Sequence, residues 1–189
     1  MTLFDFSYFP TLTTQRCVLR ELMPEDAEDV FLFRSDAEEQ KYNSEPMQQV
    51  IEAQALIEEV RSAYAAQHAL YWGVTLQDGK VRGLFGFNYW DQRHHRAMIG
   101  FDLARAYWRQ GIGEEGVKAM VQFGFEHMQL NRIDAATIAN NIATLHLLEK
   151  VGFQREGTIR EHSWQDGTYH DLAMYGLLRS EYARGVAEP

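Results

Sequence analysis

A short turn with two glycines separates a predicted strand from a long amphipathic helix near the middle of the chain. The strand covers residues 96–103, the turn covers 108–114 and the helix continues to about Met128. A helix that begins in such a turn presents backbone N–H groups without helical partners and the positive end of its dipole. Gly111 and Gly113 let an anion approach this backbone closely. The segment therefore predicts a diphosphate-binding turn between a strand and a helix.

The spacing of apolar residues changes between period two and period 3.6 along the chain, which predicts alternating strands and helices. Strands are predicted at 16–21, 70–76, 81–90, 96–103, 133–139, 153–161 and 168–178. Helices are predicted at 24–35, at 47–67, from the glycine turn to about 128, and at 142–150. Asp-Gly pairs predict hairpin turns at 77–80 and 165–167.

This order of elements predicts an α/β fold with a mixed, mostly antiparallel central sheet of about six to seven strands. Helices are expected on both faces of the sheet. Neighbouring strands that part near their ends would leave a cleft, where ligands usually bind.

Length and composition predict one domain over residues 1–189, with residues 1–15 as an N-terminal extension. No apolar run reaches the roughly 20 residues that cross a bilayer, and no Lys or Arg precedes Arg16, which argues against a secretory signal. Cys17 is the only cysteine, so an intrachain disulfide is excluded. We expect a cytoplasmic protein with no membrane partner. The aromatic residues between Phe4 and Phe9 are expected to pack on their own domain, the alternatives being the cleft or a second subunit.

The net charge of −9 lies entirely in the first third of the chain. Residues 1–60 hold 13 acidic and 4 basic side chains, whereas residues 61–189 hold 14 of each. A nucleic-acid partner is not expected, because no basic patch is visible. An acidic region beside a neutral remainder favours a cationic substrate. The alternative is that these carboxylates form the solvated faces of two helices.

Four segments of the chain, in order and at matching spacing, carry a resemblance to a known family. These segments are Thr14–Arg20 followed by Pro24–Ala27, Met98–Gly113, Asn141–Phe153, and Gly167–Tyr182. Together they resemble the GNAT superfamily of acetyl-CoA-dependent N-acetyltransferases. The most similar branch is that of the RimJ/RimL-like ribosomal-protein alanine N-acetyltransferases. The resemblance covers nearly the whole chain and implies a GNAT-like single domain.

The resemblance implies that acetyl-CoA is the cosubstrate and assigns residues to it. The backbone of the glycine turn would bind the diphosphate through Arg109, Gln110, Gly111, Ile112, Gly113 and Glu114. The preceding strand would pair with the pantetheine arm through Phe101 and Leu103, and Asn141 would also reach this arm. Asn141 is equally suited to cap the helix at 142–150. Because Glu114 and Glu115 would repel the diphosphate, we expect their side chains to point to solvent.

The resemblance also defines which catalytic groups are missing. Many family members have a glutamate at the position of Met98 and a tyrosine at that of Leu148. Thr144 stands where the branch has a serine that serves the leaving sulfur, so it is the catalytic candidate, with helix packing as its alternative role. His94 and His95 are weaker candidates for a base. No spacing of ligand residues predicts a metal site.

The absence of a glutamate at position 98 bears on the acceptor amine. At pH 7 roughly one lysine in 2,500 is neutral, against roughly one α-amine in 10. A site without a carboxylate base therefore favours the N-terminal α-amine of a peptide or protein. The alternatives are a small cationic amine such as a polyamine, amino sugar or aminoglycoside, and a non-catalytic acyl-CoA-binding sensor. A homodimer is a further expectation, because members of this branch often form dimers.

Overall fold

An eight-stranded mixed sheet organises the protein, as seen in a computed structural model that describes residues 4–165 and 167–187, with side chains up to residue 183. The strands are β1 (Leu12–Thr13), β2 (Val18–Arg20), β3 (Leu70–Thr75), β4 (Val81–Asp91), β5 (Arg96–Leu103), β6 (Arg132–Ile138), β7 (Gln154–Gln165) and β8 (Thr168–Leu178). Their order in the sheet is β1-β2-β3-β4-β5-β6-β8-β7. Every neighbouring pair is antiparallel except β5 and β6, which are parallel.

The described residues form six α-helices, four of which pack on the faces of the sheet. They are α1 (Ala27–Arg34), α2 (Ala37–Gln40), α3 (Val50–Ala65), α4 (Ile112–Glu126), α5 (Ile142–Val151) and α6 (Arg179–Ala187). Helices α4 and α5 pack on one face over the larger core, which contains Trp72, Phe85 and Phe87. Helices α1 and α3 pack on the other face around Phe33 and Ile57. The predicted fold class, with helices on both faces of a mixed sheet, is confirmed.

The elements that the sequence did not predict are short or terminal. Strand β1 has two residues, too few for an alternating pattern, and makes the sheet one strand wider than expected. Helix α2 has four residues and depends on its cap, since the Asp36 carboxylate accepts the N–H groups of Glu38 and Glu39. Helix α6 follows β8 directly, without a turn residue to mark its start.

Two predicted boundaries also differ from the structure. The predicted helix at 24–35 begins with a 3₁₀ turn, Pro24–Asp26, before α1. Strand β7 continues to Gln165 because its pairing with β8 resumes at Ser163 after an irregularity. Residue Asp166 of the predicted hairpin turn lies outside the described residues.

The N-terminal aromatic residues pack on their own domain, as expected. Phe4 contacts Phe123 edge-on at 5.5 Å between ring centroids, and Phe6 stacks on Trp90 at 5.2 Å. The indole Nε1 of buried Trp72 donates to the carbonyl of Pro10 at 2.8 Å. In the described part of the chain, no helix is both long enough and apolar enough to span a bilayer.

The contact between α4 and β4 leaves no room for a side chain at Gly116. A Cβ built on Gly116 would lie 2.6 Å from the Phe85 ring, which is fully buried. The glycine thus lets α4 lie directly on the sheet and fixes the position of its N-terminal turn.

We expect Gly116→Ala to destabilise the protein, because overpacking costs about 1–3 kcal/mol and outweighs the roughly 1 kcal/mol that alanine gains over glycine in a helix. Denaturant unfolding of the variant measures the change. Gly157→Ala is the control, since a Cβ built there meets nothing within 4 Å. An unchanged or higher stability of Gly116→Ala would contradict this view of the interface.

Candidate functional site

Strands β5 and β6 pair along only the first half of their length and then diverge. They pair from Arg96 with Arg132 to Ile99 with Ala135. Strand β5 then continues to Leu103 and β6 to Ile138, and no further pair joins them in the described part of the chain. The cleft between splayed strands that the sequence predicted is therefore present, between β5 and β6.

The backbone of Phe101 and Leu103 faces this cleft. The N–H of Ala104 donates to the carbonyl of Arg82 on β4 at 2.7 Å, which fixes the alternation of β5. Phe101 and Leu103 therefore turn their backbone groups away from β4 and towards β6. The Leu103 carbonyl accepts the indole Nε1–H of Trp108 at 2.5 Å. The N–H of Leu103 also faces the cleft, and the Trp108 indole does not bond to it.

The glycine turn lies at the open end of the cleft. Gly111 is the N-cap of α4 and has a left-handed conformation with φ +78°. Arg109, two residues before it, is also left-handed with φ +57°. A Cβ on Gly113 would lie 3.2 Å from Leu147 of α5, on the far side of the cleft. The first N–H groups of α4 thus lie between the end of β5 and α5, where an anion can reach them.

The expectation that Glu114 and Glu115 point to solvent is met only in part, since their side chains are 21% and 17% exposed and both form ion pairs. The Glu114 carboxylate contacts Lys118 Nζ at 2.8 Å and Lys150 Nζ at 2.6 Å. These hydrogen bonds lower the pKa of Glu114. Glu115 pairs with Arg16, with 2.7 Å between Oε2 and Nε. The negative charge of the turn is therefore compensated by cations within the protein.

Asn141 and Thr144 belong to the first turn of α5, beside the cleft. The Asn141 side chain accepts the Thr144 N–H at 3.3 Å, which confirms its role as N-cap. Its Nδ2 donates to Thr137 Oγ1 at 3.2 Å. The half-buried Thr144 bonds to no described residue through its hydroxyl, so this hydroxyl is available to a ligand.

Met98 and Leu148, at the positions of the missing glutamate and tyrosine, are both at least partly buried. Leu148 is 1% exposed in the larger core, and Met98 is half-buried. His94 and His95 are exposed in the turn before β5. That turn is at the paired end of β5 and β6, away from the cleft, so neither histidine is placed as a base.

A buried ion pair on the opposite face of β5 was missed by the sequence reasoning. Asp102 Oδ2 lies 2.9 Å from Arg34 Nη1, and Asn43 Nδ2 donates to Oδ1 of the same carboxylate. Asp102 is 9% exposed, and burial raises its pKa despite these partners. A single aspartate among the apolar residues 97–103 was the available sequence signal. This ion pair ties α1 and the segment after α2 to the cleft end of β5.

Glu39 of α2 approaches the same end of β5. Its Oε1 accepts the N–H of Arg105 at 2.5 Å, whereas its Oε2 is buried without a hydrogen-bond partner among the described residues. Burial and the nearby charge of Asp36 raise the pKa of Glu39 to about 6, although the Arg105 N–H opposes this shift. Asp36 itself pairs with Arg105 Nη2 at 3.0 Å.

The acidic first third of the chain therefore divides into two groups. Several carboxylates form the solvated faces of α1, α2 and α3, as one alternative predicted. These exposed residues are Glu25, Glu28, Glu38, Glu58 and Glu59. Asp36 and Glu39 instead lie at the cleft end of β5, beside Asp102 of that strand.

A cavity of about 440 Å³ opens on the face of the sheet opposite α4. Its apolar wall includes Leu56, Val60 and Leu84, and its polar lining includes Arg34, Glu59, His68 and Asn88. A Cβ built on Gly100 would lie 3.1 Å from Asn88 Nδ2. Gly100 is the first residue of β5 beyond its last pair with β6, so Asn88 of the cavity wall lies beside the inner end of the cleft.

The described residues contain no group of three or more histidine, cysteine or acidic side chains arranged to hold a metal ion. The groups that the described residues place beside the cleft are backbone N–H groups, a threonine hydroxyl and carboxylates. This set suits the binding of an extended anionic ligand and a reaction that develops charge on oxygen or sulfur.

Comparison with known proteins gives a consistent result. The family model described as an acetyltransferase (GNAT) domain matches residues 16–154. The N-acetyltransferase YoaA of Bacillus subtilis is 34% identical over 173 residues, covering 90% of this chain and 98% of its own. The structure of Mycobacterium smegmatis RimJ in complex with CoA-disulfide superposes with a TM-score of 0.84 at 21% identity, covering 95% of both chains. A Salmonella typhimurium acetyltransferase that modifies the N-terminal serine of ribosomal protein L7/L12 superposes with a TM-score of 0.81 at 17% identity, covering 89% of this chain and 99% of its own.

The raised pKa of Glu39 predicts a dependence of stability on pH. Between pH 4.5 and about 6 the folded protein binds a proton that the unfolded chain has released, so the free energy of unfolding falls as pH rises through this range. Glu39→Gln removes this fall and should be more stable than the wild type at pH 7. The difference should shrink towards zero near pH 4.

Denaturant unfolding of both proteins at pH 4, 5, 6 and 7 measures this difference. Glu38→Gln, a change of an exposed side chain in the same helix, is the matched control. A Glu39→Gln variant less stable than the wild type at pH 7 would show that the carboxylate stabilises the fold.

Proposed function

The chain belongs to the GNAT family of acetyltransferases and is an acetyl-CoA-dependent N-acetyltransferase, and from this premise we propose that its acceptor is the N-terminal α-amine of a peptide or protein. The observation that carries the assignment of the donor site is the unpaired edge of β5 beside the left-handed turn at Gly111.

The donor lies along β5 in this proposal. The N–H groups of Phe101 and Leu103 would pair with the pantetheine arm as an added strand pairs with a sheet edge. The turn formed by Arg109, Gln110, Gly111, Ile112, Gly113 and Glu114 would bind the diphosphate. Each charge-assisted N–H···O bond there contributes roughly 1.5–3 kcal/mol. Asn141 would contact the arm from α5, next to its cap.

The reaction is a direct acyl transfer. The nitrogen lone pair of a neutral amine attacks the thioester carbon, a C–N bond forms, and the carbonyl oxygen becomes an oxyanion. The Phe101 N–H would stabilise this oxyanion. The C–S bond then breaks and the thiolate leaves with its electron pair, while the Thr144 hydroxyl would donate a hydrogen bond to that sulfur. The amine nitrogen loses one proton to water and the thiolate takes up one, so the products are the amide and CoA as a thiol.

The acceptor would enter through the cavity on the opposite face of the sheet, because its lining residue Asn88 lies beside Gly100 at the inner end of the cleft. The cavity has the size of a small-ligand site, since such sites span about 300–1,000 Å³. Met98 supplies no base, which favours an amine that is already neutral in part. The activity of the Salmonella enzyme on an N-terminal serine supports the same choice.

A small cationic amine is the second candidate acceptor. The carboxylates of Asp36, Glu39 and Asp102 at the end of β5 favour it, because they would attract a polyamine or an amino sugar.

The acceptor proposal predicts a strong preference between amines. With acetyl-CoA at pH 7, a peptide with a free N-terminus and no lysine should react at least tenfold faster than an N-terminally blocked peptide with one lysine. The reason is the larger neutral fraction of the α-amine. Thiol release across a pH series measures both rates, and spermidine and an aminoglycoside complete the panel. Faster reaction of the lysine peptide, or reaction of the small amines only, would overturn the proposal.

The role of Thr144 predicts a separation of rate from binding. Thr144→Val should lower kcat by about tenfold or more, in line with the loss of a hydrogen bond to a developing charge. The dissociation constant of CoA should change little. Thr144→Ser retains the hydroxyl and should retain the rate. Equal rates for the valine and serine variants would assign Thr144 to helix packing alone.

A further inference from the structure

Arg16 contacts the glycine turn, residues 108–114, from the side opposite the cleft. Its backbone N–H donates to Glu115 Oε1 at 2.8 Å, and its Nε donates to Glu115 Oε2 at 2.7 Å. Its Nη1 donates to the carbonyl of Gln110. Its Nη2 lies 2.9 Å from the position of a Cβ built on Gly111. One guanidinium therefore contacts both residues at the centre of the turn.

The sheet order places Arg16 far from the cleft. The residue lies just before β2, which is three strands away from β5. On the other side of the turn, a Cβ on Gly113 would meet Leu147 of α5 and, at 3.9 Å, Leu103 of β5. The turn is thus held between Arg16 on one side and the cleft on the other.

The contact with the Gln110 carbonyl determines where the next N–H points. In a planar trans peptide the C=O and the following N–H point in opposite directions, and no peptide bond is cis among the described residues. If the carbonyl of Gln110 faces Arg16, the N–H of Gly111 must face away from Arg16.

We infer that Arg16 is a positioning residue for the cosubstrate, and that its hold on the Gln110 carbonyl turns the Gly111 N–H towards the diphosphate. This inference rests on the proposed function of the turn. Glu115 has the matching role, since it anchors Arg16 through two hydrogen bonds and neutralises its charge. The Arg16–Glu115 ion pair thus fixes the direction of the Gly111 N–H and adds little net charge beside the diphosphate.

The test compares CoA binding and acetyl transfer in variants of the full chain. Arg16→Gln should weaken CoA binding by about tenfold, measured by titration calorimetry, because one N–H is no longer aimed at the diphosphate. The KM for acetyl-CoA should rise to a similar extent with kcat nearly unchanged. With S-acetylpantetheine, which carries the thioester but no diphosphate, kcat/KM should equal that of the wild type.

Arg96→Gln is the matched control. Arg96 is 47% exposed, close to the 44% of Arg16, and its Nε likewise pairs with a carboxylate, but at the opposite end of β5. Its change should leave CoA binding unaltered. Equal CoA binding by Arg16→Gln and Arg96→Gln would overturn the inference, as would an equal loss with S-acetylpantetheine.

Glu115→Gln separates positioning from direct attraction. If Arg16 positions the peptide, removal of its anchor should weaken CoA binding, and the double variant should be no weaker than Arg16→Gln alone. If Arg16 attracts the diphosphate through its charge, removal of the Glu115 charge should tighten binding, which would overturn the inference. A wild-type protein that binds CoA and transfers no acetyl group would contradict the proposed function, whereas normal transfer with an unaffected Arg16 variant would contradict only the positioning role.

Discussion

The parting of β5 and β6 after Ile99 and Ala135 is the feature on which the site depends. A sheet edge in the middle of a protein leaves backbone N–H and C=O groups without partners, which is costly unless another group satisfies them. Here the edge is short, one of its carbonyls is taken by Trp108, and it ends at a turn that presents further N–H groups. In the proposed complex, an extended ligand with an amide-containing arm and an anionic end would satisfy both sets of groups together.

The remainder of the fold holds this edge and this turn in a fixed relation. The close approach of Gly116 to Phe85 brings α4 against β4. This contact fixes the distance between the first turn of α4 and the sheet. Arg16 and Glu115 connect that turn to the start of β2. On the other face, the Asp102 ion pair with Arg34 ties the helices beside the cavity to the end of β5. In the proposed reaction, donor and acceptor would approach one cleft from opposite faces of the sheet.

The sequence predicted the strands that line the site and the turn that follows them, because these features are local. The period-two alternation over 96–103 and the glycines at 111 and 113 can be recognised from the local sequence, without knowledge of any distant contact. Long-range contacts were not readable. Nothing near Arg16 indicates that a residue 99 positions later accepts its N–H, and nothing near Glu114 indicates that Lys150 also pairs with its carboxylate. Asp102 was equally hidden, since its partner Arg34 lies on a helix far away in sequence.

The structure of the protein crystallised with CoA is the most direct test of the central claim. The account predicts the diphosphate on the N–H groups of residues 109–114 and the pantetheine arm alongside Phe101 and Leu103, with the sulfur near Thr144. A complex in which the ligand lies elsewhere and the edge of β5 beyond Ile99 is left uncovered would contradict it.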